Sequence, residues 1–227
     1  MTFDGIIFDF NGVLLWDSAW QEEAWRVFSA EIRPHHPFTS VEMAVHVHGR
    51  PNRHTIEYLL GRPITPEELA AHTQRKESLF RALCLRHPDQ FHLSPGAIEL
   101  LDYLAAQAIP RAIATAASRG NLDFFIQHLH LTRWFDPAHL VYDDGARPGK
   151  PAPDIYQEAA RRLGVLPARC VVVEDAISGV QAAVAAGIGH IIALGPPAAQ
   201  ADLATWPGVH EVVESLGQVR RAVLFSR

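Results

Sequence analysis

From Pro95 onward the chain alternates between helical and strand signals, each stopped by a turn residue, and this alternation restricts it to a parallel sheet covered by helices. Residues 95–106 read as a helix, 109–115 as a strand, 119–129 as a helix and 140–142 as a short strand. A helix is expected over 153–163, with Pro in its first turn and Gly164 at its end, followed by the buried strand Cys170-Val171-Val172-Val173. An Ala-rich helix over 178–186 closed by Gly187, a strand over 190–194, an edge strand over 211–213 and an amphipathic helix through Leu224 complete the order. The apolar run over 6–10 joins the same sheet, since a strand covered on both faces is continuously apolar.

Residues 16–92 break the alternation: apolar side chains recur at helical spacing, as at Trp20, Ala24, Val27 and Phe28, with little sign of strands. The organisation expected is a Rossmann-like, doubly wound α/β core over 1–15 and 93–227, with an inserted α-helical cap domain over 16–92. With 48% hydrophobic residues in 227, the chain can bury one large domain or two smaller ones. A chain that leaves the sheet after its first strand and returns at Ser94-Pro95-Gly96 sets the cap above that strand's carboxyl end as a lid.

The net charge of -5 and the scattered arginines give no basic stripe, so no nucleic-acid partner is expected. No run of about 18 apolar residues and no signal-type N-terminus appears, so the expectation is a cytoplasmic protein without a membrane partner. Cys84 and Cys170 lie at no metal-type spacing and read as reduced core residues. Lys76 and Lys150 are the two lysines, so a role that demands one has two candidates.

The strand expected over 6–10 ends in Asp9-Phe10-Asn11-Gly12, which delivers a carboxylate to the end of a buried strand, where open α/β sheets bind ligands. An ordinary turn accounts for the same residues, whereas a calcium loop does not, because Leu14, Leu15 and Trp16 occupy positions that need oxygen donors. Thr115, Lys150 in Pro148-Gly149-Lys150-Pro151, and the pair Glu174-Asp175 fall at the carboxyl ends of further expected strands. Singly, each has a plain structural account: Asp9 and Asp175 cap turns, Glu174 starts a helix, Thr115 satisfies its own loop, and Lys150 is a solvated surface group.

Together, in this order, they resemble the four motifs of the haloacid dehalogenase superfamily, in its branch with a helical cap after the first strand. Pro95-Gly96, Gly149-Lys150-Pro151-Ala152-Pro153-Asp154 and Val173-Glu174-Asp175-Ala176-Ile177-Ser178-Gly179 extend the match over almost the whole chain. The resemblance, to proteins like β-phosphoglucomutase and phosphoglycolate phosphatase, implies a hydrolase of a small phosphorylated metabolite acting through an aspartyl-phosphate on Asp9. Attack by a carboxylate on a phosphate dianion is opposed by like charge, so a cation and a lysine must neutralise the site. Asp9, Glu174, Asp175 and the backbone carbonyl of Asn11 would hold Mg²⁺. Lys150 would pair with Asp9 and the phosphoryl oxygens, and Thr115, with Ala116 beside it, would bind the phosphoryl group.

The position two after the nucleophile is usually Asp in that family, and here it is Asn11, which cannot exchange a proton at neutral pH. Loss of a general acid and base costs about 10²- to 10⁴-fold, so turnover is expected to be slow unless the leaving group is acidic. A catalytically impaired binding or regulatory module is the second reading. A phosphonatase would need Lys76, whose surroundings Gln74-Arg75-Lys76-Glu77 read as a solvated helix face. The Glu174-Asp175 pair speaks against a metal-free dehalogenase, and the lack of a His in residues 17–23 against a phosphomutase. In the cap, Arg50 or Arg53 binds a second anionic group of the substrate, or both are solvated arginines at a helix start. His46 and His48 lack a third ligand for zinc. The scattered apolar cap residues suit a monomer or a homodimer.

Overall fold

Gly5–Phe8 forms β1, whose four residues are all buried, as the unbroken apolar run requires. The computed structural model describes residues 2–47 and 51–225. After β1 come α1 (Ser18–Ile32), α2 (Ser40–His46), α3 (Asn52–Leu60) and α4 (Pro66–Arg86), then α5 (Ala97–Ala106). Strands and helices alternate from there: β2 (Arg111–Ser118), α6 (Arg119–His128), β3 (Leu140–Asp143), α7 (Asp154–Leu163), β4 (Cys170–Glu174), α8 (Ile177–Ala185), β5 (His190–Leu194) and β6 (Glu211–Val213). The sheet has six strands in the order β3-β2-β1-β4-β5-β6, every pairing parallel. This is the doubly wound order, in which the direction of winding reverses between β1 and β4, the place where such sheets open a crevice for ligands.

The chain divides into two compact units, Met1–Trp16 with His92–Arg227, and Asp17–Phe91. In the first, Ala159 and Ala160 of α7 and Val180, Ala182 and Ala183 of α8 pack in one core with Ile7, Ala112 and Val172 of the sheet. Small residues on both helices let them lie close to the strands. Ser94 ties the two ends of this unit's break together: its N–H donates to Leu14 O at 2.9 Å and its hydroxyl to Val13 O at 2.6 Å. Gly96, in the left-handed region at φ 79°, abuts the backbone of Gly217, where a Cβ would collide.

Three boundaries differ from expectation for physical reasons. The first strand ends at Phe8 rather than Phe10, because the Phe10 carbonyl accepts from the N–H groups of Val13, Leu14 and Leu15 and turns the chain. β2 runs past Thr115 to Ser118, with a register shift against β3 between Ala114 and Ser118. The amphipathic helix expected through Leu224 shrinks to Arg221–Leu224, since Gly217 must stay close to Gly96 and Val219 is extended.

In the second unit, Trp25, Phe28, Phe38, Met43, Val47, Ile56, Leu59 and Ile64 form a core. Two of its helices start with reciprocal capping boxes, Thr39 with Glu42 and Thr65 with Glu68, each satisfying two orphan N–H groups. Lys76 contradicts the solvated face expected for it and is buried. Its ammonium donates to Gln21 Oε1 at 2.5 Å and Glu77 Oε1 at 3.2 Å and lies 5.2 Å from the Trp25 ring centroid. The aromatic faces and the stem's methylenes make that burial tolerable. Among the described residues, no helix is long and apolar enough to cross a membrane.

Candidate active site

Strand register builds the site. Phe8 is level with Val173 of β4 and Ile113 of β2, and Asp9 continues the ladder by donating its N–H to Val173 O at 3.0 Å. Asp9 and Glu174 therefore leave adjacent strands at the same height, at the point where the winding reverses. Carboxylate oxygens of Asp9, Glu174 and Asp175 lie within 4.8 Å of one another, a spacing that suits one hard cation.

Lys150 reaches this cluster from the loop before α7. Its Nζ donates to Asp9 Oδ1 at 2.9 Å and to Glu174 Oε1 at 2.5 Å, so it is no solvated surface group. Glu174 is the most heavily bonded member. Oε1 also accepts from the Tyr156 hydroxyl at 2.6 Å, and Oε2 accepts the N–H groups of Asp175 at 3.0 Å and Ala176 at 3.1 Å. Its residual exposure is 0%, so these bonds, rather than water, stabilise the charge.

Two glycines allow that packing. A Cβ on Gly12, at φ 81°, would overlap the Asp175 carboxylate, and one on Gly179, inside α8, would overlap the Glu174 carboxylate. The tight exit after Asp9 is thus also a close approach to the last acidic residue of the cluster.

Burial pushes the Asp9 carboxyl up to about 7, with Glu174 adding to the rise and Lys150 opposing it. For Lys150, burial pulls downward, but Asp9 and Glu174 outweigh it and hold the ammonium above its usual range. Burial first, then Glu174, raises the Tyr156 phenol well above its ordinary value, so it stays a donor. Three carboxylates against one ammonium leave an excess of negative charge, which a divalent cation would offset.

Thr115 is buried at the irregular stretch of β2, where its Oγ1 accepts the Ala117 N–H at 3.0 Å and its own O–H remains a donor. Ala116 is exposed. Asn11 lies in the turn after Asp9, bridged to Leu15. Arg53 is engaged within its own unit, with Nη1 donating to Glu57 Oε1 at 3.2 Å and Ile64 O at 2.8 Å. The His46 ring stacks on Tyr58 with centroids 3.6 Å apart. Arg50 and His48 lie outside the described residues. Tyr156 is the polar contact that the motifs did not announce; the available signal was a phenol beside Ile155 on the apolar face of α7, which needs a partner once buried.

The profile of the family "haloacid dehalogenase-like hydrolase" matches residues 3–187. Hexitol phosphatase A of Escherichia coli (strain K12) is 30% identical over 219 residues, covering 96% of this chain and 94% of that protein. The bifunctional riboflavin kinase/FMN phosphatase of Arabidopsis thaliana is 36% identical over 154 residues, 67% of this chain; the chain spans 39% of that relative's length. The solved structure of a HAD hydrolase, family IA, variant 3 from Entamoeba histolytica HM-1:IMSS matches with a TM-score of 0.89 at 33% identity, covering 95% of each chain. A doubly wound sheet, an acidic cluster bridged by lysine at its switch point and these matches together establish that the chain belongs to the haloacid dehalogenase-like hydrolases.

Proposed function

We propose that this hydrolase is a Mg²⁺-dependent phosphatase of a small phosphorylated metabolite, working through an aspartyl-phosphate on Asp9. The observation that carries the reading is the Lys150 ammonium shared between Asp9 and Glu174 at the switch point. The phosphatase relatives support the reaction class. Asp9, Asp175 and the Asn11 carbonyl are the direct metal ligands in this reading, with Glu174 completing the anionic set while its acceptor positions serve Lys150, Tyr156 and the backbone. Bound Mg²⁺ would supply charge neutralisation, the term that matters most when an anion attacks a phosphate ester.

The chain's own groups do the rest. Lys150 favours the carboxylate form of Asp9 and offers its third N–H to a phosphoryl oxygen, while the Thr115 hydroxyl donates to another. An Asp9 oxygen attacks phosphorus, the bond from phosphorus to the ester oxygen breaks, and the leaving oxygen takes its proton from solvent. Water then attacks the phosphorus of the aspartyl-phosphate, which releases inorganic phosphate and regenerates Asp9. Asn11 can orient the leaving oxygen or that water by hydrogen bonding but cannot carry the proton.

Phosphate release from p-nitrophenyl phosphate and acetyl phosphate, with and without Mg²⁺, tests this. Wild-type turnover should require Mg²⁺ and vanish in Asp9→Asn, and Asn11→Asp should raise the rate on esters with basic leaving groups. Asn11 also supports a second reading, a fold kept for binding. Turnover seen in Asn11→Asp alone would decide for it.

A further inference from the structure

We propose that Tyr156 is a positioning residue that sets where the Lys150 ammonium meets the phosphoryl group, acting through Glu174. This rests on the phosphatase reading above. Tyr156 touches both members of the Lys150–Glu174 pair: its hydroxyl donates to Glu174 Oε1 at 2.6 Å, and its ring centroid lies 5.1 Å from Lys150 Nζ. It is 0% exposed, on a helix face it shares with Ile155, Ala159 and Ala160, where a phenylalanine would pack equally well. The hydroxyl is therefore there for its bond, since a buried phenol O–H without a partner is unfavourable.

Lysine needs such help. Its four-carbon stem is flexible and its ammonium is a point charge without the geometric preference of a guanidinium. The position of Nζ is fixed by what it binds, and of its two carboxylates, Glu174 is the immobile one. The N–H groups of Asp175 and Ala176 hold Oε2, and Tyr156 holds Oε1. Without the hydroxyl, Lys150 is the one donor left to Oε1 among the described residues, and the buried carboxylate draws the ammonium away from Asp9 and the phosphoryl oxygens.

The test compares the wild type, Tyr156→Phe, Glu174→Gln and the double variant, with folding followed by circular dichroism. kcat/KM for p-nitrophenyl phosphate with Mg²⁺ and the inhibition constant of inorganic phosphate are both measured. In Tyr156→Phe, kcat/KM should fall about tenfold and phosphate inhibition should weaken at least about threefold, as expected for a small displacement of a charge-stabilising group. In the Glu174→Gln background the same change should alter neither value more than about twofold, because the negative charge through which Tyr156 acts on the ammonium is gone. A folded Tyr156→Phe with both values unchanged, or losses that multiply in the double variant, overturns the proposal. Should Tyr156→Phe not fold, the pair with and without it in Glu174→Gln decides, since no buried charge is then left short of a donor. A wild type without turnover refutes the phosphatase reading alone, and calorimetric binding of inorganic phosphate to the same four proteins then judges Tyr156.

Discussion

Replacing Gly179 by Ala separates two opposing effects cleanly. In most helix interiors this change is stabilising by up to about 1 kcal/mol, because alanine loses less backbone freedom on folding. Here the added Cβ would lie inside the van der Waals envelope of Glu174 Oε1, Cδ and Oε2. That carboxylate cannot swing aside at low cost, since four hydrogen bonds hold it and it is fully buried. Overpacking costs about 1–3 kcal/mol, and giving up one hydrogen bond to a buried charge costs about 1.5–3 kcal/mol. Set against the helix-propensity gain, the net is a destabilisation of about 1.5–5 kcal/mol. For a chain of this size, that lowers the melting temperature of the unit containing the site by about 3–20 °C. Thermal denaturation followed by circular dichroism reads it directly, and turnover of p-nitrophenyl phosphate should fall in the same variant because Lys150 shares the displaced oxygen. Gly149→Ala, at a position with open space and no left-handed φ, should shift stability by less than about 1 kcal/mol. A Gly179→Ala protein as stable as the wild type would refute the argument that Glu174 is pinned.

The raised Asp9 carboxyl makes a signed prediction for protein stripped of metal with EDTA. With a native value of about 7 against an unfolded value of 3.8, the native state holds the extra proton between those limits, so stability falls as pH rises from about 4 to about 7 and levels off above. Asp9→Asn should lose that slope and gain on the wild type across the interval; a widening deficit instead would contradict the burial argument. In the other unit, Glu42 is held down to about 2 by the Thr39 N–H bond first; burial opposes it next, and the Tyr58, Thr39 and Arg33 side chains add to the lowering. Its contribution is therefore present above about 4.5 and lost as pH falls toward 2. Glu42→Gln should cost that unit about 1–2 kcal/mol at pH 7, the range of a lost helix cap, and almost nothing near the bottom of that interval; equal losses at both ends in urea titrations would show that the charge is irrelevant.

Legibility in the sequence followed the number of residues over which a physical signal is averaged. The alternation beyond Pro95 led to the strand set because each strand is buried on both faces and each helix carries its own start or stop, as with Gly164 in the left-handed cap of α7. Element ends were less legible where tertiary contacts override local preference. Phe10 is apolar enough to extend β1, yet its carbonyl is taken by three turn N–H groups; Val219 and Leu224 suit an amphipathic helix, yet Gly217 must meet Gly96. Lys76 misled for a related reason, because the charges beside it in the chain say nothing of Trp25 and Phe80, which cover it in space.

The site divides along the same line. Asp9, Lys150, Glu174 and Asp175 could be read because each follows a strand or a Gly-Pro break, and strand ends in a doubly wound sheet converge. What could not be read is the hydrogen-bond order among them. Glu174 and Asp175 are neighbours of like chemistry in the chain, but successive residues leave a strand toward opposite faces. One therefore turns inward, where Tyr156, Lys150 and two backbone N–H groups saturate it, while the other lies against Gly12, where a Cβ would have no room. The glycine at 179 then follows from the inward turn of Glu174, since a carboxylate buried beneath the first turn of α8 needs a residue without a side chain above it. Two acidic residues that look interchangeable in sequence thus carry different duties, one fixing the lysine and the other facing the turn that presents Asp9.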